Sequence, residues 1–530
     1  MQQNEVSKKS DNKKCILFRK IMSFGIKCVV IFAILAAIFL VVLSNSQSAR
    51  QYFIGKLTDI ANNFLIADVK LNDIHLLGLN GIALQEVQII TANDTLASIP
   101  EIEINLNFEE IFRGNIDINY LKLKSPRIKL LRSLKDSLWN YDKIVAPSTD
   151  TTVSTEPTKL KFNIKEIVLE NAYFAMWDSV ASEESGGKIN FEKFVLSNLN
   201  TKIANTNICL ENMRFATSIE NLSATEEVSG CNIKQLAVDA ELSSDKIEAK
   251  NLKLNLDDSK IECYVKLENY DLFSSGNEDI EKALMELQLS SDKFNPEVID
   301  YFSIMPVRIG KVENMEISVN GTFNELNIDK IFLDTYDSHI KLSECKLTNL
   351  LEPDSLTYSG VFKSTKINRN YLPKILKNID LTAIPNIGKV KIDELRFFGT
   401  VDSIYSKLDI KTDLGAVFGN VEVGFGKQPF SYNINLDTRN LNIGKILNKP
   451  EIYTSLNTSI SLVGKGIEEK QIFAKLEADI LPSKLLRYNL GQSKLQCQVE
   501  GDTLVISNID IVVLENPNIF EKIDNSGFGG

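Results

Sequence analysis

The chain has 530 residues, of which 44% are hydrophobic and 24% are charged, and its formal net charge is −11. This composition is typical of a folded protein and excludes a collagen-like, globally disordered or polytopic membrane chain. The only two histidines, His75 and His339, have no partners at metal-ligand or triad spacing. The sequence therefore predicts no enzyme, no catalytic residue, no metal site and no cofactor.

Positive charge is concentrated at the N-terminus. Seven basic and two acidic residues give residues 1–27 a charge of +5, which leaves −16 for the rest of the chain. Binding of nucleic acid requires clustered Lys and Arg, so we expect no nucleic-acid partner for the acidic body. Residues 1–27 are predicted to form a basic cytoplasmic tail.

An apolar segment follows this tail. Residues 28–43 lack polar side chains, and residues 21–43 contain one charge, Lys27. A membrane span needs about twenty apolar residues, so this segment predicts a single transmembrane helix. Because the basic residues precede it, the N-terminus is expected in the cytoplasm and the body across the membrane. The anchor residues are Cys28, Val29, Val30, Ile31, Phe32, Ile34, Leu35, Ile38, Phe39, Leu40, Val41, Val42 and Leu43. The alternative is a cleaved signal peptide, since Ser46, Ser48 and Ala49 suit a cleavage site.

In most of the remaining sequence, apolar and polar residues alternate with a period of two. Residues 49–66 have a helical period and predict an amphipathic juxtamembrane helix. Beyond them, apolar and polar residues alternate as in half-buried antiparallel strands, over 67–145 and again over 161–510. Residues 146–160 are rich in Ser, Thr and Pro and predict a loop, with short helical intervals near 296–305 and 371–376. Residues 511–530 are expected to be a frayed, truncated C-terminus.

One-sided strands with few helices pose a burial problem. The apolar face must meet another sheet, curl on itself, or be covered by something other than protein. We predict a mainly β fold, an elongated and twisted antiparallel half-pipe whose apolar inside suits acyl chains. Ordinary sandwiches or barrels with closed cores are the alternative. The residues predicted to line the groove are Ile102, Ile104, Leu106, Phe108, Ile116, Ile118, Leu252, Leu254, Leu256, Ile434, Leu436, Ile460 and Leu462.

The order of several short motifs in residues 71–145 is similar to that of a known family. The motifs run from Gly81-Ile82-Ala83-Leu84 through Asn93-Asp94-Thr95-Leu96, Phe112-Arg113-Gly114-Asn115 and Ser125-Pro126-Arg127-Ile128 to Ser137-Leu138-Trp139-Asn140. They resemble the N-terminal region of the TamB proteins and, more broadly, of the AsmA-like family of Gram-negative bacteria. In that pattern Ser137 stands where glycine is preferred.

The resemblance implies an inner-membrane-anchored periplasmic protein of the bridge-like lipid-transfer type. Its implied partners are membrane phospholipids and an outer-membrane barrel assembly protein of the TamA/BamA-like type. Two functional hypotheses therefore stay open, a phospholipid conduit between the two membranes and a scaffold that presents strand edges to outer-membrane barrel proteins without carrying lipid. A hydrolase or glycan-binding protein is disfavoured because no catalytic constellation is found.

Overall fold

The computed structural model describes residues 47–514, except for residues 65–66, 79, 92–93, 108, 111–115, 136, 143, 145–160, 182–185, 210, 212, 271–276, 304–308, 376–386, 427–429 and 467–470. The predicted anchor, Phe108, the predicted loop 146–160 and residues 515–530 thus lie outside the described residues. Within the part that is described, no helix combines the length and apolar character needed to cross a membrane. The described part of the protein is mainly β, with 68% strand and 10% helix.

The chain divides into two units, the first up to Pro306 and the second from Val307. The first described element of unit 1 is helix α1 (Gln47–Phe64). Its strands are β1 (Asp68–Lys70), β2 (Asp73–Leu77), β3 (Gly81–Thr91), β4 (Asp94–Leu106), β5 (Ile116–Lys124), β6 (Arg127–Arg132), β7 (Lys161–Asp178), β8 (Lys193–Cys209), β9 (Arg214–Glu226), β10 (Asn232–Leu242), β11 (Lys246–Leu256), β12 (Ser259–Glu268) and β13 (Leu284–Lys293). Short 3-10 segments cover Asn277–Lys282 and Pro296–Tyr301.

Unit 2 also consists mostly of consecutive strands. They are β14 (Asn314–Thr322), β15 (Glu325–Thr335), β16 (Ser338–Thr348), β17 (Thr357–Asn368), β18 (Lys389–Thr400), β19 (Ser403–Thr412), β20 (Gly415–Gly424), β21 (Ser431–Leu441), β22 (Thr454–Lys465), β23 (Phe473–Ile480), β24 (Ser483–Leu485), β25 (Tyr488–Leu490), β26 (Ser493–Glu500), β27 (Thr503–Asp510) and β28 (Val513–Leu514). Its helices are α2 (Leu372–Ile375) and α3 (Ile443–Ile446), and 3-10 turns lie at Pro353–Ser355 and Arg369–Tyr371. Val513 and Leu514, expected in a frayed terminus, are paired with β25.

Sequential strands pair in antiparallel fashion through most of each unit. In unit 2 the order from β14 to β23 continues through β26 to β27, while β24, β25 and β28 form a small sheet beside the start of β22. The prediction of an entirely antiparallel sheet is wrong at β7, which lies parallel to both β5 and β6. The reason is the long connection between β6 and β7, because a parallel pair needs a crossover rather than a hairpin.

Among the described residues, a well-buried core lies beneath helix α1 in unit 1. Helix α1 packs Phe53, Ile54 and Leu57 against a cluster that contains Ile74, 1% exposed, and Leu84, 2% exposed. These three positions share one side of the helix, since residues three and four apart are neighbours on its surface. The predicted amphipathic helix is therefore present with nearly the predicted bounds, and it covers the apolar side of the first strands.

A buried carboxylate fixes the turn after β9. Glu226 is 1% exposed and accepts hydrogen bonds from Ser229 Oγ and Ser229 N at 2.6 Å and from Val195 N at 3.1 Å. Burial opposes ionisation, but these hydrogen bonds outweigh it and hold the pKa of Glu226 below its ordinary value. The folded state therefore favours the ionised carboxylate.

We expect Glu226 to contribute stability at neutral pH that is lost in acid. Because its pKa is lowered in the folded state, the contribution is complete above the ordinary glutamate value of about 4.5 and falls as the pH drops below it. Urea-unfolding midpoints measured at pH 7 and pH 4 should differ less in Glu226→Gln than in the wild type. The control is Glu262→Gln, whose carboxylate is 66% exposed. An unchanged pH dependence in Glu226→Gln would contradict the assignment.

Candidate functional site

An apolar row crosses the strands of unit 2. Directly paired residues of neighbouring strands lie on the same face of a sheet, so the strand register identifies the members of the row. From β15 to β27 the eleven successive partners are Ile331, Leu342, Phe362, Leu395, Leu408, Gly419, Leu436, Ile460, Ala478, Leu495 and Ile509. We call these residues row A. None of the eleven carries a polar side chain.

A second row lies two residues further along the same strands. Its members from β18 to β27 are Phe397, Ser406, Val421, Ile434, Leu462, Leu476, Cys497 and Ile506, which we call row B. The four groove residues predicted in this region are brought together here, since Ile434 pairs with Leu462 and Leu436 pairs with Ile460. Rows A and B together define the apolar face of unit 2.

The other side of the same strands is polar. Residues that alternate with rows A and B form a cross-strand series of Arg396, Lys407, Asn420, Asn435, Ser461, Glu477, Gln496 and Asn508. The sheet of unit 2 is thus strongly two-sided. An antiparallel sheet with one solvated face has this alternation, but its apolar side is normally packed against a core.

The apolar face of unit 2 is only partly covered. The members of row A from Ile331 to Leu495 are half-buried, and Ile509 is 58% exposed. In a closed sandwich, side chains of the inner face interdigitate with those of a second sheet and become buried. Within the described part of unit 2, no such layer buries row A. A long apolar surface thus remains open to a ligand.

Unit 1 carries a comparable row that is covered at one end. Its members, which we call row C, are Ile116, Phe162, Ile208, Phe215, Leu242, Ile247, Leu267 and Met285. Ile116 is 5% exposed and Phe162 is 3% exposed, because both belong to the core beneath helix α1. From Ile208 onward the members are half-buried. Row C therefore passes from a closed core to an open surface.

The N-terminal groove residues of the prediction lie in this closed core. Ile102, Leu106, Ile116 and Ile118 are between 2% and 9% exposed, and Ile104 packs beside them. They form part of the floor under helix α1 rather than an open surface. The remaining groove residues, Leu252, Leu254 and Leu256, share the face of row C on β11, where Leu254 pairs with Leu236 and Ile261, while Leu256 is 1% exposed.

The sequence did not show that three glycines of the apolar face lie opposite aromatic residues. Gly360 lies opposite Phe397, Gly399 opposite Tyr358, and Gly464 opposite Tyr432. A Cβ atom at Gly399 or Gly464 would come within 2.5 Å of the tyrosine ring. The aromatic rings therefore lie over the glycine backbones. The only signal in the sequence is a Gly on one strand and an aromatic residue on the neighbouring strand. Their pairing can be recognised only when the strand register is known.

Charged side chains pair on the polar side or at strand ends. Lys124 Nζ lies 2.7 Å from carboxylate oxygens of both Glu101 and Glu103, and its hydrogen bond holds the pKa of Glu101 below the ordinary value. His339 Nδ1 lies 2.5 Å from Asp334 Oδ1. Among the described residues no group of three or more His, Cys, Asp or Glu side chains is arranged to hold a metal ion.

In comparisons with protein-family models, curated proteins and solved structures, the chain has no match.

Proposed function

We propose that the protein is a phospholipid conduit whose apolar faces hold acyl chains. The observation that carries the proposal is row A, which is apolar across eleven strands and half-buried throughout its length up to Leu495. Exposure of apolar surface to water costs about 25 cal/mol per Å² in free energy, and exposure of each acyl CH₂ group costs about 0.8 kcal/mol. Lipid chains on this face would lower both costs at once.

The length of row A favours a conduit over a pocket for one lipid. Strands lie about 4.8 Å apart, so eleven strands extend roughly 50 Å before twist is considered. One leaflet of a bilayer contributes about half of a hydrocarbon core that is roughly 30 Å thick. Row A is therefore about three acyl chains long, which suits lipids that move along it.

Regular bulges support a curved, half-pipe form for each sheet. Asn251 in β11, Glu344 in β16 and Asn440 in β21 have φ values of 52°, 54° and 53°, and each lies at a shift of strand register. A bulge bends its strand and increases the local twist. We propose that these bends wrap each sheet around its apolar face.

From the resemblance of residues 71–145 to TamB and AsmA-like proteins, we propose that this conduit works between the inner and outer membranes of a Gram-negative cell. On this proposal residues 21–43 anchor the chain in the inner membrane, the body lies in the periplasm, and no catalytic chemistry is required. An outer-membrane barrel assembly protein of the TamA/BamA-like type would be the partner.

The second candidate function is a scaffold for outer-membrane barrel proteins. It is favoured by strand β27, which pairs with β26 and has no other partner strand among the described residues. Leu504, Ile506 and Ile509 of this strand are between 53% and 60% exposed. An edge strand of this kind can pair with an incoming strand.

Native mass spectrometry of the intact chain, released gently from membranes, separates the two functions. The conduit predicts co-purified phospholipid in more than one copy per chain. A chain that carries no phospholipid but captures unfolded barrel strands would overturn the conduit and favour the scaffold.

The proposed topology predicts different locations for two reporter fusions. A reporter fused before Ser23 should remain cytoplasmic, and one fused after Arg50 should be exported, because the Lys and Arg excess lies entirely on the N-terminal side of the apolar segment. Compartment-specific reporter activity measures both. Export of both fusions would contradict the topology.

A further inference from the structure

A second group of exposed apolar side chains lies outside rows A and B, beside the start of β22 in unit 2. It is built from the β24–β25 hairpin, the turn that precedes β22, and strand β28. Its exposed apolar side chains are Leu447, Tyr453, Leu481, Leu485, Leu486, Tyr488, Val513 and Leu514, which are between 37% and 60% exposed. We call them the end patch.

Backbone contacts join these segments to one another. Thr454 and Ser455 at the start of β22 pair with Leu485 and Lys484 of β24. The tip of the hairpin is tied to the preceding turn, because Leu486 N donates to Tyr453 O at 2.7 Å. Pairing of β25 with β28 adds Val513 and Leu514. The exposed side chains of the end patch are therefore carried by segments that are joined through their backbones.

The end patch is basic although the chain as a whole is acidic. Residues 443–454, 481–490 and 511–514 contain four basic residues and one acidic residue, Glu451, in a protein whose net charge is −11. The basic residues are Lys445, Lys449, Lys484 and Arg487, all exposed. None of the four has an ion pair among the described residues. Their charges are available to an anionic partner.

The tip of the β24–β25 hairpin carries a leucine at a position where the backbone conformation favours Gly or Asn. Leu486 has a φ of 55°, in the left-handed region that Gly and Asn occupy at lower cost. Its side chain is 47% exposed, so packing does not compensate for the strain. A strained and exposed leucine at a turn is explained if the side chain inserts into something apolar.

We propose that the end patch docks onto the surface of a bilayer that contains anionic phospholipid. Leucine side chains that enter the acyl boundary, tyrosines at head-group depth and flanking Lys and Arg are the combination that binds such an interface. Arg487 fits this arrangement, since its guanidinium lies 5.4 Å from the ring of Tyr488 and donates to the Tyr488 hydroxyl at 3.3 Å. A protein partner of neutral surface would leave the four basic side chains without a role.

This docking does not depend on lipid occupying rows A and B. The test is hydrogen–deuterium exchange of the full chain with vesicles of phosphatidylcholine and phosphatidylglycerol, compared with phosphatidylcholine alone. We expect slower exchange in residues 445–453 and 481–490 with the anionic vesicles. The readout is local, so any insertion of residues 21–43 does not interfere with it.

Two variants test the two chemical components of the patch. Leu486→Asp removes the apolar tip, and the double variant Lys484→Glu/Arg487→Glu reverses two charges. The double variant is expected to weaken vesicle-dependent protection at least about tenfold, because each basic residue near an anionic surface contributes separately. Leu351→Asp and the single charge reversal Lys407→Glu are controls at exposed positions elsewhere in unit 2 and should behave as wild type.

Three outcomes would overturn the proposal. The first is that anionic vesicles do not protect the patch, and the second is that both patch variants are protected as strongly as the wild type. The third is protection that rises with protein concentration in the absence of lipid. The last outcome would identify a second copy of the chain as the occupant. Lipid crosslinking from row A in the Leu486→Asp variant is read separately, so failure of the end patch and failure of the conduit are distinguishable.

Discussion

Replacement of Leu436 by Asp is expected to reduce lipid crosslinking from the apolar face of unit 2 by about tenfold or more. Leu436 lies in the middle of row A, between Gly419 and Ile460. A carboxylate there would have to give up hydration to contact an acyl chain, at a cost of several kcal/mol, and each 1.4 kcal/mol changes occupancy about tenfold. A photo-reactive residue at Leu462 in row B provides the readout.

The adjacent residue provides a matched control. Asn435→Asp adds the same charge to the same strand, but on the polar face, where Asn435 pairs with Asn420 and Ser461. Its crosslinking yield should equal that of the wild type. An equal loss of crosslinking in both variants would show that the added charge has the same effect on either face of the strand. That result would contradict a lipid-binding face.

Folding must be measured alongside crosslinking. Because Leu436 is half-buried, its replacement by Asp should lower stability by only about 1–3 kcal/mol, so the strands should remain. Far-ultraviolet circular dichroism and the thermal midpoint check this. Loss of the folded state in Leu436→Asp, with Asn435→Asp unaffected, would instead indicate a closed core around row A.

The mainly β character could be predicted because alternation with a period of two is local information. Residues 434–436 and 460–462 alternate without interruption, and their predicted apolar members do pair across β21 and β22. The helix at the start of the body was equally readable, since Phe53 and Leu57 lie on one side of it. The apolar pattern could not tell which strands this helix would cover.

The parallel pairing of β7 could not be predicted from alternation. A strand buried on one side has the same pattern in either direction, so the direction depends on the length of the connection. β7 is 18 residues long and pairs with β5 through residues 162–170 and with β6 through residues 173–178. Two short strands joined at Ser125 and Pro126 thus lie along one long strand, a relation that only tertiary structure reveals.

β-Bulges are the main reason why the sequence does not predict the face of the sheet on which each side chain lies. In β11 the apolar-face residues Ile247 and Ala249 are followed by Leu252, a step of three, whereas the partners Val265 and Cys263 on β12 are two apart. A strict period of two would assign Ile247 and Leu252 to opposite faces. The extra residue is absorbed by the bulge around Asn251, whose φ is 52°. Asn tolerates this backbone conformation better than most residues, and that preference is the only local signal.

Deletion of Asn251 is therefore expected to damage unit 1 far more than substitution at the same position. Without the extra residue, either Leu252, Leu254 and Leu256 move to the polar face or the pairing of β11 with both neighbours slips by one residue. Loss of burial of these leucines would cost on the order of 3–6 kcal/mol.

Asn251→Gly keeps the backbone conformation and loses only the hydrogen bond from Asn251 Nδ2 to Asp239 Oδ2, so it should cost about 1 kcal/mol. Hydrogen exchange across β10 to β12 distinguishes the two variants. If the deletion is tolerated as well as Asn251→Gly, the bulge does not set the face on which the three leucines lie, and β11 would have to be re-registered against β10 and β12.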